Sequence, residues 1–133
     1  MFALTTRVLI VDDMSTMRKI VKKVCSEIGF TDFTEAADGN LAWEAIMAAP
    51  APIGLIISDW NMPNSTGLDL LKRVRADERF KKTPFLLVTA ESEQSQVIDA
   101  VKSGVDQYVV KPFTKEDLMK KLEAAHKKYA AKA

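Results

Sequence analysis

Four stretches end an apolar run in residues that can do chemistry: LIVDD (9–13), IISDWN (56–61), LLVTA (86–90) and YVVKP (108–112). Between them they offer three carboxylates (Asp12, Asp13, Asp59), the Thr89 hydroxyl and the Lys111 ammonium. A carboxylate at the end of a buried strand is costly unless something pairs with it or uses it. Gathered in one crevice, three acids would repel and raise one another's pKa until a cation joined them. Oxygen donors without histidine or cysteine suit a hard ion. Mg2+ is favoured because it takes one or two carboxylates and keeps waters and phosphate oxygens, with Mn2+ as the alternative. A metal beside a lysine and a hydroxyl can stabilise a phosphoryl group, whose transfer needs in-line positioning and charge neutralisation above all. A carboxylate can also be the nucleophile itself, forming an acyl phosphate.

Each residue alone has a plainer reading. Asp12 could cap a helix, Asp13 could be solvated, and Asp59 could open a turn with Asn61 and Pro63. Thr89 could be an ordinary β-branched strand residue. Lys111 could be surface charge, although Pro112 holds it extended. The joint reading prevails only if the chain brings the strand ends together.

The periodicity says that it does. Apolar runs over 7–12, 33–37, 53–58, 84–90 and 106–110 read as strands. Helical spacing fills the intervals at 40–49, 67–76, 93–104 and 114 to about 130. In the first interval Met17, Ile20, Val21, Val24, Cys25 and Ile28 form a stripe, with Ser15 as N-cap and Gly29 as the stop. Strict alternation predicts a doubly wound α/β fold with a parallel sheet, over one domain spanning 1–133. In such folds the working crevice lies outside the C-terminal ends of the strands. Strand order is not legible from periodicity.

Composition narrows the classes. Lys plus Arg (19) nearly balances Asp plus Glu (18), so bulk charge points to neither nucleic acid nor membrane. No apolar stretch approaches the ~20 residues of a membrane span, and no signal peptide is read at the start. A single cysteine cannot form an internal disulfide. A cytoplasmic location is expected. Cys25 reads as a small buried hydrophobe, His126 as solvated, Trp43 as helix packing and Trp60 as a wall of the site.

The segments LIVDDMSTMRKIV, EAADG, SDWNMPNSTGLDLLKRVRAD, PFLLVTAE and GVDQYVVKPFT closely resemble the CheY-like chemotaxis response regulators, single-domain receivers of two-component signalling. The resemblance runs from about Arg7 to the last helix. It implies a flavodoxin-like (βα)5 sheet in the order 2-1-3-4-5. It also implies that Asp59 is the phosphoacceptor, and that Asp13 and Asp59 bind Mg2+ with the Asn61 carbonyl while Asp12 acts through metal-bound water. Lys111, before a cis Pro112, would pair with the phosphoryl oxygens. Thr89 would move onto them, and Ala90 must be small beside the entry path. Tyr108 would be the aromatic switch, with a partner face including Val97, Val101, Tyr108 and Lys121. Asn61 and Glu91 would tune hydrolysis.

Implied partners are a CheA-like histidine kinase, a FliM-like flagellar switch protein and a phosphatase, with the chain itself monomeric. It would catalyse its own phosphotransfer and dephosphorylation without being an enzyme in the ordinary sense. Other readings are a phosphorelay intermediate that passes phosphate to a histidine phosphotransfer protein, and a receiver with a non-flagellar target. The fourth helix opens ESEQSQV where enteric members carry two lysines, so weaker attraction to acidic partner segments is expected. A flavodoxin-like electron carrier would want glycine in DDMSTM. A haloacid-dehalogenase-type phosphatase would want an acid where Asn61 stands.

Overall fold

A computed structural model describes residues 1–49, 52–90 and 94–132. Five strands and five helices alternate: β1 (Arg7–Val11), α1 (Ser15–Ile28), β2 (Asp32–Ala36), α2 (Gly39–Ala48) and β3 (Leu55–Asp59), then α3 (Gly67–Ala76), β4 (Phe85–Thr89), α4 (Gln94–Lys102), β5 (Gln107–Val110) and α5 (Lys115–Lys132). The predicted elements are all present, with bounds that move by a few residues. The sheet is parallel, in the order β2-β1-β3-β4-β5.

Alternation along each strand divides the core. Leu9, Val11, Ile56 and Leu87 point to one face, against Ala42 and Ile46 of α2, Leu70 and Val74 of α3, and Ala100 of α4. Val8, Ile10, Leu55, Ile57, Leu86 and Val88 point to the other, against Val21 and Cys25 of α1 and Leu118 and Leu122 of α5. Helices therefore cover both faces, which is why the strands read as unbroken apolar runs. The register Val11↔Ser58, Asp59↔Val88 and Thr89↔Val110 brings the strand ends to one edge.

Three local expectations change. Ile20 is exposed, outside the buried stripe of α1. Ser15 is the first helical residue, not the cap. Met14 holds the cap position without a side-chain bond, and its N–H donates to Asp12 Oδ1 at 2.9 Å. His126 is half-buried, its ring edge-on to Phe2 at 4.9 Å with Nδ1 3.3 Å from the Met1 ammonium. Elsewhere, Trp43 packs between helices, edge-on to Phe80 at 5.9 Å and under the Arg73 guanidinium at 4.6 Å.

Cys25 is fully buried, and burial pushes its thiol up to about 12. The thiolate is the reactive form. A disulfide reagent at pH 8 should therefore leave the native thiol unmodified for as long as the fold holds, and titrate one thiol per chain in denaturant. Fast stoichiometric reaction of the native protein would contradict this packing.

Candidate functional site

Each polar strand end is set by the strand behind it. Asp12 follows β1 directly; its N–H donates to Ala36 O at 3.1 Å, and its carbonyl accepts from Arg18 Nη1 at 2.7 Å. Those bonds hold an acid that is only 3% exposed. Asp59 closes β3 at 9% exposure, fixed on its far side by the Trp60 N–H to Val88 O bond of 2.9 Å. Asp13 is exposed at the mouth. One carboxylate oxygen from each of Asp12, Asp13 and Asp59 lies within 4.8 Å of the others.

Lys111 reaches this cluster from the end of β5. Its N–H donates to Thr89 O at 2.7 Å, and its bond to Pro112 is cis. Its Nζ stands 3.1 Å from Asp59 Oδ1 and 3.5 Å from Asp12 Oδ2. Thr89 is buried at the end of β4. Burial holds the Asp59 carboxyl above the usual carboxylate range, the negative charge of Asp12 adds to this, and Lys111 opposes it. One ammonium thus fails to offset burial and the neighbouring acid. The donor set, three carboxylates and no nitrogen or sulfur, fits a hard cation in the same space.

Gly67, the first residue of α3, shapes the back of the site. Its N–H donates to Trp60 O at 3.0 Å, and a Cβ there would run into the Asp59 carbonyl oxygen and Leu87. Glycine is required by this close approach, not by the backbone angle.

The family model for the response regulator receiver domain matches residues 8–123. The chain belongs to that family. The receiver is 50% identical over 117 residues to the chemotaxis protein CheY1 of Helicobacter pylori strain J99, covering 88% of this chain and 94% of that protein. The chemotaxis protein CheY of Pseudomonas aeruginosa is likewise 50% identical over 117 residues, covering 88% of this chain and 93% of its own. Among solved structures, the chemotaxis response regulator CheY4 of Vibrio cholerae superposes with a TM-score of 0.80 at 35% identity, over 91% of this chain and 98% of that one.

The receiver's remaining expected residues are spread more widely. Asn61 is exposed between buried Trp60 and Met62, in the loop from β3 to α3. Trp60 joins the core cluster that also contains Met62 and Leu70. Ala90 is exposed directly after Thr89, and Glu91 lies outside the described residues. Tyr108 pairs opposite Leu87, two positions along β4 from Thr89. It is half-buried, with Lys121 Nζ 4.9 Å from its ring centroid. Val97 is half-buried and Val101 is 60% exposed on α4. Asp12, Asp13, Asp59 and Lys111 form one cluster; Val97, Val101, Tyr108 and Lys121 belong to the α4, β5 and α5 side.

Two features were not read from the sequence. Arg75 of α3 and Asp106 before β5 form a buried ion pair at 2.9 Å. Asp38 and Asn64 bond across two loops at 3.3 Å. Both pairs lie far apart in the chain, and neither has a local pattern. No helix among the described residues is long and apolar enough to cross a membrane.

Proposed function

We propose that this receiver accepts a phosphoryl group on Asp59 from the phosphohistidine of a CheA-like kinase, and that the phosphorylated form binds a FliM-like flagellar switch protein. The observation that carries this reading is Lys111 Nζ, 3.1 Å from Asp59 Oδ1 within the cluster of three carboxylates. The names of the chemotaxis relatives support the choice of partners. In this reading residues 1–133 act as one cytoplasmic, monomeric domain, and phosphate loss is hastened by a phosphatase.

The Asp59 carboxylate attacks phosphorus in line as the bond from phosphorus to the donor imidazole nitrogen breaks. An acyl phosphate forms and the P–N electron pair stays on the imidazole. Because the other ring nitrogen of the phosphohistidine carries a proton, the histidine leaves neutral. Mg2+, held by Asp13, Asp59 and the Asn61 carbonyl, with Asp12 acting through its water, would neutralise charge on the phosphoryl oxygens. Lys111 exchanges its bond to Asp59 for one to a phosphoryl oxygen. The Thr89 hydroxyl donates to another, and the Ala90 N–H faces the same group. Tyr108 follows Thr89 inward, which reshapes the surface carrying Val97, Val101 and Lys121. Asn61 and Glu91 set how readily water reaches the acyl phosphate. A partner preferring this state must in turn favour phosphorylation, with coupling of about 1–3 kcal/mol.

Acetyl phosphate tests the chemistry. With Mg2+ or Mn2+ present, mass spectrometry should find one phosphoryl group per chain, mapped to Asp59. Excess chelator should leave the chain unmodified. Equal labelling with and without chelator would refute the metal's part, and a group mapped elsewhere would refute Asp59.

A further inference from the structure

The loop over 60–66 carries Asn61 from the reacting strand to α3, and its far half is tied to another helix. Asp38 is the N-cap of α2: its Oδ1 accepts from the Leu41 N–H at 2.8 Å, which leaves Oδ2 to accept from Asn64 Nδ2 at 3.3 Å. Beside that bond the Gly39 N–H donates to Ser65 O at 3.2 Å. Ser65 is buried, so close to Gly39 that a Cβ on the glycine would overlap its hydroxyl. Asn64 holds φ at +67°, a left-handed angle that asparagine tolerates better than most residues. The loop is therefore held to the start of α2 by two hydrogen bonds and by the close packing of Ser65 on Gly39, in addition to its own ends.

Resting on the reading that Asn61 offers its carbonyl to a cation, we infer that Asp38 and Asn64 are positioning residues for that cation. They strap the loop to α2 and so fix where the Asn61 carbonyl stands. Neither lies among the three acids. The effect is geometric: Mg2+ demands near-ideal octahedral angles, so a ligand carbonyl free to drift loses affinity even when every ligand is still present. Groups that orient metal ligands typically change affinity by about 10–100-fold when removed, and an exposed bond of this kind belongs at the lower end.

Two substitutions break the strap with opposite changes of charge. Asp38→Ser keeps a helix cap but is too short to reach Asn64, and it removes a negative charge. Asn64→Asp sets two carboxylates against each other and adds one. Calorimetric titration with Mg2+ should show both weakened roughly tenfold. Simple electrostatics would weaken the first and tighten the second. The exchanged pair Asp38→Asn with Asn64→Asp restores cap, donor and acceptor at unchanged net charge, and should return Mg2+ affinity to within about twofold.

Amide hydrogen exchange in chelator gives a readout that needs no metal. Exchange of the Gly39 N–H should speed up in both single variants and slow again in the exchanged pair. Opposite shifts in Mg2+ affinity, or singles within about twofold of the native chain, would overturn the positioning role. A native chain that took no Mg2+ would instead overturn the reading of the acidic cluster, while the exchange rates would still decide for or against the strap.

Discussion

Asp59→Asn should take up no phosphoryl group from acetyl phosphate under conditions that fully label the native chain. An amide lacks the ionised, negatively charged oxygen that makes position 59 a nucleophile, and no acyl phosphate forms there. The same substitution has a second consequence that isolates its electrostatics. Burial holds the Asp59 carboxyl above the usual carboxylate range in the folded chain. A raised acid binds its proton more tightly folded than unfolded, so its contribution is favourable at low pH. Stability is lost as pH rises from the ordinary carboxylate range through the raised value. In chelator at neutral pH, Asp59→Asn should therefore melt above the native chain, and the gap should close as pH falls below the ordinary carboxylate range. Added Mg2+ should raise the melting temperature of the native chain much more than that of the variant. Scanning calorimetry with and without chelator measures all three. A variant that melts below the native chain at neutral pH in chelator would mean that the Lys111 bond outweighs burial.

Asp106→Ala should cost about 3–5 kcal/mol of stability, the range for removing one partner of a buried ion pair. Asp106 is 1% and Arg75 14% exposed at the side chain. The Asp106 carboxylate accepts from Arg75 Nη2 at 2.9 Å and from the Phe85 N–H at 2.8 Å, while Arg75 also donates to Gly104 O and Thr83 O. This pair helps tie the end of α3 to the starts of β4 and β5. Removing the acid leaves a buried guanidinium without its countercharge and the Phe85 N–H without that acceptor. Urea unfolding should show a lower midpoint at an unchanged slope. Because the pair stands at the N-terminal ends of β4 and β5, acetyl phosphate labelling of the folded variant should stay near native. A midpoint within error of the native value would show that the neighbourhood reorganises without the acid.

The sequence by itself determined whatever depends on near neighbours. Apolar runs and helical spacing are local, so five strands and five helices were readable, and so was the exit of Asp12, Asp59, Thr89 and Lys111 from their strands. The rule that parallel α/β folds work at the strand ends then gathers those residues from the sequence alone. Family resemblance added the strand order, which no local pattern holds, because β1 pairs with β3 across the whole of β2 and α2. Tertiary structure decided the rest. Asp12 Oδ1 bonds the Met14 N–H in place of the expected Ser15 cap, since the acid is held there by the sheet. His126 stays partly exposed but packs its ring edge-on to Phe2, which is 124 residues away in the chain. The Arg75–Asp106 pair and the Asp38–Asn64 bond each join elements that meet only once the helices have packed on the sheet. Charge and hydrogen-bond partners are chosen by distance in space, and the sequence states that distance only where the chain is short.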